Sequence, residues 1–478
     1  MKMLISGIKC DASNGEIIEV FNPATGELID TIPSAAKEDV ERAIADTKSG
    51  QQEWAKIPLY RRAEILERFC FLVEKNGEEI AHLLTQEMGR PIRETKGDIG
   101  NVTGIFRAYI GAAKNFLGET MPIGGQNGKE KDLEFTLREP IGTVACIIPY
   151  NSPLVLFSYK AAPALIAGNA IVVKPASDDP LALLRMGELL LEAGVPGKTV
   201  QFITGSGAAI GRYISDSPLI NRISFTGSTE VGLDIYEHAA KNLTHVSLEL
   251  GGNAPFVLMQ DGNLELAIEE AFWGRAAVLS GQICNTSKRF FIHRSQKEKF
   301  IEGLIQKLKT LVIGDPMDPN VTMGTLISEK AAKNVENQIQ KTISQGARLI
   351  YGGERRGAFM VPAVLDGVTS QMDVMHDMEI FGPVFPIVEF DTYEEVIAMA
   401  NDTMYGLGAS IYTENMRAAL RFIQDIQAGS VIINGSSYYR TLLMPFGGYK
   451  KSGLGREGLF AALEEVTQIK CVVFKGML

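Results

Sequence analysis

Cys284 lies in the stretch Leu279-Ser-Gly-Gln-Ile-Cys284-Asn-Thr-Ser-Lys-Arg289, where mostly small and polar residues lead up to the sulfur. A thiol attacks carbon as its thiolate and needs open space around the sulfur. Gly281 allows close backbone approach there, and Arg289-Phe-Phe-Ile-His293 behind it reads as the start of a strand. On this stretch alone, Cys284 is either a nucleophile or one of the inert thiols that folded proteins bury. Glu249 ends an apolar run just before Leu250-Gly251-Gly252, where it could serve as a general base or be a solvated carboxylate. Asn151 stands in a stiff turn between Pro149 and Pro153; its amide can donate to an oxyanion or serve the turn alone. Lys174 closes the run Val172-Val173-Lys174, and a lysine at the carboxyl end of a parallel strand points into the ligand crevice or into solvent. Two glycine-rich turns follow strands: Gly205-Ser-Gly207-Ala-Ala-Ile-Gly211 and Gly227-Ser-Thr-Glu-Val-Gly232. Neither has the G-x-G-x-x-G spacing, yet two successive strand, glycine turn and helix units favour a nucleotide phosphate over two ordinary tight turns.

These residues need a scaffold of alternating strands and helices. The pattern predicts strands at Gly142–Ile148, Ala170–Val173, Val200–Ile203, Asn221–Ser224 and Thr244–Leu248, separated by helices. Short apolar strands alternating with helices indicate a parallel sheet covered on both faces, an α/β fold. The alternation begins again at Pro255–Leu258, with a helix at Leu264–Leu279 and strands at Phe290–His293, Met360–Leu365 and Phe385–Phe390. Residues 37–87 read as two helices divided at Pro58, and 91–117 as one long helix. Residues 118–140 read as an inserted hairpin, and Thr467–Phe474 as a strand with no partner nearby in sequence.

The bulk numbers exclude several classes. A chain of 478 residues carries roughly three domains. A net charge of −10 leaves no basic footprint for nucleic acid. The five cysteines form no CxxC pair and no HExxH occurs, so neither a disulfide framework nor a metal site is expected. The first ten residues lack an apolar signal core and no apolar run is long enough to span a bilayer. The expectation is a soluble cytoplasmic protein without a membrane partner.

At this point the chain resembles the aldehyde dehydrogenase superfamily over nearly its whole length. The matching segments are Pro149-Tyr-Asn-Ser-Pro153, Val173-Lys-Pro-Ala176, Phe225-Thr-Gly-Ser-Thr229, Leu248-Glu-Leu-Gly-Gly252 and Gly281-Gln-Ile-Cys284. Glu379-Ile-Phe-Gly-Pro-Val384 and Pro445-Phe-Gly-Gly-Tyr-Lys-Lys-Ser-Gly453 complete the set. The resemblance implies two Rossmann-like α/β domains and a small β arm. A dinucleotide-binding domain would take 1–117 and 141–248, a catalytic domain 249–462, and an oligomerisation arm 118–140 with 463–478. The arm would make a homo-oligomer, a dimer or tetramer.

The resemblance also implies roles. Cys284 attacks an aldehyde, Asn151 and the Cys284 N–H hold the oxyanion, hydride passes to NAD or NADP, and Glu249 activates the water that releases the acid. Lys174 and Glu379 hold ribose hydroxyls, Phe381 packs near the nicotinamide and Ser228 meets a phosphate. Ile148, Pro149, Tyr150, Ala176, Ser177, Gly207, Gly211, Phe225, Thr226, Gly227, Leu250 and Gly251 complete the cofactor path. The substrate tunnel takes Ser152, Leu156, Tyr159, Ile283 and Asn285, with Arg440 a candidate anchor for a polar or anionic tail. Four departures from the family pattern stand out. Ser177 replaces a frequent glutamate, which points to acceptance of NADP, and Tyr150 replaces a tryptophan. The interval from Glu249 to Cys284, 284 − 249 = 35, is one longer than in many relatives, and Tyr159 stands where succinic semialdehyde members often carry arginine. Succinic semialdehyde, lactaldehyde and glycolaldehyde remain candidate substrates. The alternatives are a CoA-acylating enzyme, against which Glu249 argues, and a non-catalytic binding relative, which has no use for Cys284, Asn151 and Glu249 together.

Overall fold

The runs Thr143–Ile147, Ala170–Lys174 and Arg222–Thr226 have every residue buried, as strands covered by helices on both faces must be. In the computed structural model, which describes residues 1–477, they form the centre of an eight-stranded sheet. Across it the strands are Ile8–Cys10, Met3–Ile5, Val200–Phe202, Ala170–Lys174, Thr143–Ile147, Arg222–Thr226, His245–Glu249 and Gly453–Leu454. The strands from Val200–Phe202 to His245–Glu249 are parallel, and antiparallel partners flank them on both sides. From Thr143–Ile147 the chain steps outward on one side, then crosses to the other side at Arg222–Thr226. That reversal is a topological switch point, and the crevice outside the carboxyl ends of the two strands is where such sheets bind ligands. The register sets Ile147 opposite both Lys174 and Phe225, and Thr226 opposite Glu249. The turns that begin at Ile148, Pro175, Gly227 and Leu250 therefore leave the sheet side by side.

A second sheet has seven strands in the order Arg348–Tyr351, Ala363–Asp366, Val384–Phe390, Ser287–His293, Ala254–Leu258, Gly408–Tyr412 and Ser430–Ile433. All its pairings are parallel except the first. Phe256 stands at its centre, with ring centroids of Tyr412 and Phe290 at 4.5 and 5.1 Å. Such aromatic pairs add about 0.5–1.5 kcal/mol beyond burial and hold rigid the strand that Cys284 precedes. The side chain of Ser452 bridges back to the first sheet by donating to Gly251 O at 2.7 Å.

Several local expectations are corrected. Residues 37–87 contain three helices, Lys37–Lys56, Leu59–Lys75 and Gly77–Met88, because Asn76 folds its side chain onto Leu72 O at 2.7 Å and ends the second. The helix expected over Leu264–Leu279 stops at Phe272 and widens into a π turn at Trp273–Ala277. The strand expected over Met360–Leu365 is interrupted at Pro362, which cannot donate to a ladder. The hairpin expected within 118–140 is reduced to one bridge, Thr120 to Phe135, because Gly124 and Gly128 turn the chain with φ of 68° and 81°. Leu133–Pro140 instead pairs antiparallel with Thr467–Phe474 along its full length. Among the described residues, no helix is long and apolar enough to cross a membrane and no acidic, His or Cys group is placed to hold a metal.

Candidate active site

The π turn at Trp273–Ala277 delivers the chain into a loop with three successive left-handed residues: Leu279 (φ 52°), Ser280 (φ 50°) and Gly281 (φ 75°). Two of these are not glycine, and such conformations persist only where surroundings hold them. The loop ends at Cys284, which is half-buried and opens on a cavity of about 1030 Å3. Burial pushes the Cys284 thiol up to about 11; Lys288 pulls it down, and Glu249 and Glu379 push it further up. The resting thiol therefore keeps its proton at neutral pH. Asn151, Glu249, Thr226, Arg440 and Glu457 line the same cavity, as do Ser152, Leu156, Tyr159, Ile283 and Asn285. Asn151 donates one amide hydrogen to Gln282 O at 2.9 Å, which fixes the amide beside the thiol loop and leaves its second hydrogen for another acceptor.

Glu249 is 3% exposed, and neither carboxyl oxygen has a hydrogen-bond partner. Burial, then the charge of Glu457, raises its proton affinity well above the usual carboxylate range, while Arg440 and Lys160 oppose the shift. Glu457 goes the other way. Against the cost of burial, Lys160 at 2.8 Å and Arg440 at 3.0 Å hold it down to about 2. Two carboxylates thus lie in one buried cluster with opposite shifts, an arrangement that separates a proton acceptor from a permanent anion. The Arg440 guanidinium is clasped between the rings of Tyr159 and Phe446, at 3.9 and 4.1 Å from their centroids. It is no solvated loop residue. Its Nε is buried without a partner.

On the crevice side, Lys174 is buried and its ammonium finds the carbonyl of Pro175 at 3.0 Å. Burial pushes it down to about 8, with Asp178 and Asp179 opposing. An ammonium so poorly partnered fits ligand hydroxyls or phosphate. Helix Thr229–Ala240 starts after the next crevice turn, with Ser228 accepting from Val231 N, and first-turn amides of a helix can meet an anion. A Cβ on Gly227 would stand 2.4 Å from the Phe225 ring, and one on Gly251 would stand 2.4 Å from the Glu379 carboxylate. A side chain at 227 would displace the Phe225 ring, and one at 251 would push the Glu379 carboxylate out of its place. Glu379 accepts from Gly252 N at 3.3 Å and pairs with Lys288 at 3.1 Å, and Tyr150 meets Phe381 edge-on at 6.1 Å. Ser177 donates to Gly205 O at 3.2 Å, tying the turn after Ala170–Lys174 to the next glycine turn. Asp178 is exposed, while Asp179 is fully buried, its carboxyl raised by burial and by Glu87. The donors present fit a dinucleotide. The glycine turn after Val200–Phe202 leads into a helix as expected: Gly205 turns with φ 153°, Gly207 is the first residue of helix Gly207–Ser215, and Gly211 lies inside that helix.

Sequence reading missed Lys160, Arg275, Lys288 and Glu457. Lys288 follows the thiol by four residues, and Glu457 sits in Gly455-Arg-Glu-Gly458, but nothing local distinguishes either from a surface charge. Their burial and pairing become visible only when the two sheets close on each other.

The model of the "Aldehyde dehydrogenase family" matches residues 10–472. A 3-sulfolactaldehyde dehydrogenase of Pseudomonas putida is 38% identical over 476 residues, covering 99% of this chain and 96% of the relative. A succinate-semialdehyde dehydrogenase (NADP(+)) of Escherichia coli strain K12 is 37% identical, covering 98% of this chain and 96% of the relative. The crystal structure of an aldehyde dehydrogenase from Brucella melitensis biovar abortus 2308 superposes with a TM-score of 0.95 at 38% identity, covering 99% of this chain and 97% of the other.

Proposed function

The chain belongs to the aldehyde dehydrogenase family and is an NAD(P)-dependent aldehyde dehydrogenase, and on that premise we propose that Cys284, Asn151 and Glu249 carry the reaction to a free acid. One observation supports this most: the thiol, the amide and an unpartnered buried carboxylate line a single cavity at the switch-point crevice. Cys284 releases its thiol proton to solvent as its sulfur adds to the aldehyde carbon, and the oxyanion is held by the free Asn151 N–H and the Cys284 backbone N–H. A tetrahedral oxyanion expels hydride far more readily than an aldehyde does, and its loss leaves a thioester on sulfur. When bound, the nicotinamide supplies the hydride acceptor. Lys174 and Glu379 would hold its ribose hydroxyls, Ser228 and the amides after it would hold phosphate, Phe381 would pack near the ring, and the turns at Ile148–Tyr150, Ala176, Phe225–Gly227 and Leu250–Gly251 would enclose the cofactor. Glu249, ionised, takes a proton from water; hydroxide adds to the thioester and the thiolate leaves with the acid released. A raised proton affinity makes Glu249 a stronger base for that step. Transfer of the acyl group to CoA has no use for such a base.

The cavity residues Ser152, Leu156, Tyr159, Ile283 and Asn285 shape the substrate, and Arg440 faces its tail. Both curated relatives are named for aldehydes with an anionic tail, which supports that class here. Ser177 supports acceptance of NADP. The protein acts in the cytoplasm as a homo-oligomer. The direct test is Cys284→Ala: aldehyde oxidation is lost while cofactor binding, followed by quenching of protein fluorescence, persists. Retention of more than a trace of NAD(P)H formation would refute the assignment.

A further inference from the structure

Arg275 is fully buried, and all three of its nitrogens are taken by main-chain carbonyls: Val384 O at 3.0 Å, Gly281 O at 3.1 Å and Ile380 O at 2.6 Å. Burying a guanidinium is costly, and an apolar side chain would fill the space more cheaply. The charge therefore does something that packing cannot. Gly281 belongs to the left-handed loop that delivers Cys284, whereas Ile380 follows Glu379 directly and, with Val384, brackets Phe381. The two segments lie backbone on backbone: a Cβ on Gly281 would stand 2.7 Å from the carbonyl carbon of Gly382. Other contacts hold the loop from outside, with Leu279 N donating to Glu94 at 3.3 Å and Ile327 N donating to the Gln282 side chain at 3.0 Å. Lys288 also spans the two, donating to Cys284 O at 2.6 Å and pairing with the Glu379 carboxylate at 3.1 Å, but Arg275 is the side chain that binds main-chain carbonyls of both segments.

We propose that Arg275 is a positioning residue that rivets the Cys284 loop to the segment bearing Glu379 and Phe381, and so sets the alignment for hydride transfer. This rests on the reading of Cys284 and Phe381 given above. A strained loop relaxes when a restraint is removed, and an ångström of misplacement in a transfer step costs up to about a hundredfold in rate. Lysine at 275 keeps the charge but reaches fewer carbonyls, and methionine keeps the bulk without the charge.

The test compares wild type with Arg275→Lys and Arg275→Met. In the cofactor-free proteins, hydrogen–deuterium exchange read by mass spectrometry is expected to rise in 279–284 and 380–384 together, with the rest of the molecule unchanged. In the assay, the burst of NAD(P)H from a 1-deuterated aldehyde is expected to slow about tenfold to a hundredfold with an enlarged primary isotope effect, while KM for the cofactor stays within a few-fold. Lysine is expected to be the milder of the two. If Arg275→Met fails to fold, Arg275→Lys alone decides the matter. Unchanged exchange in either segment, a general rise across the protein, or an unaltered isotope effect would overturn the inference. A Cys284→Ala protein that still forms NAD(P)H from the aldehyde would instead overturn the catalytic reading beneath it.

Discussion

Arg440 has two commitments: it donates to Glu457, and it lies against the rings of Tyr159 and Phe446 on the wall of the substrate cavity. Sequence reading set it as either a substrate anchor or a solvated loop residue; burial removes the second. Lys160 and Arg440 bring two positive charges to the single negative charge of Glu457. With Glu249 protonated, the cluster keeps an excess positive charge beside the cavity, which suits an anionic tail. Arg440→Ala should lower kcat/KM for succinic semialdehyde about tenfold to a hundredfold more than for a neutral aldehyde of equal length, the scale of one charged hydrogen bond. Equal losses on both would remove the anchor role and leave Arg440 only its hold on Glu457. Glu249 titrates in the same cluster. Its raised proton affinity means that the base form fills only as pH climbs above the ordinary carboxylate range. Deacylation should therefore rise with pH over a range above that of an ordinary carboxylate and level off once Glu249 is ionised, read from single-turnover rates across a pH series.

Among the elements, the turn after Ala170–Lys174 is the proposed discriminator between NAD and NADP. Ser177 is fastened to Gly205 O, Asp178 is exposed and Asp179 is buried toward Glu87. At position 177 itself a hydroxyl stands where an acidic side chain would repel a 2′-phosphate. Ser177→Glu should lower the NADP/NAD ratio of kcat/KM by about tenfold or more, the scale of one charge–phosphate contact. A ratio that does not move would rule out this turn as the discriminator. Much of this was legible in the sequence: alternating apolar runs place Asn151, Lys174 and Glu249 at strand ends, and the thiol is marked by Gly281-Gln-Ile-Cys284. The π turn at Trp273–Ala277 was not legible, because its residues carry the same helical periodicity as those before it. Nor was the pairing of Glu457 with Lys160, whose sequence separation hides it from any local pattern.

At the scale of the whole molecule, the proposed chemistry depends on two sheets meeting: the carboxyl ends of the first carry Asn151, Lys174 and Glu249, and the loops entering the amino ends of Ser287–His293 and Val384–Phe390 in the second carry Cys284 and Glu379. The strand pair Leu133–Pro140 with Thr467–Phe474 stands apart from both sheets and exposes Leu137, Ile469, Val473 and Phe474. Such a surface supports the proposed homo-oligomer, and light scattering in solution should return a mass of at least twice the chain; a monomer at micromolar concentration would contradict it. The central claim is that oxidation runs through a thioester on Cys284 that Glu249 hydrolyses. Rapid mixing of Glu249→Gln with aldehyde and NAD(P) tests it most directly. The account predicts a burst of NAD(P)H equal to the enzyme sites, then slow turnover, with acyl-enzyme detectable by mass on the Cys284 peptide. Uniformly slow turnover without a burst, and no adduct on that peptide, would contradict it.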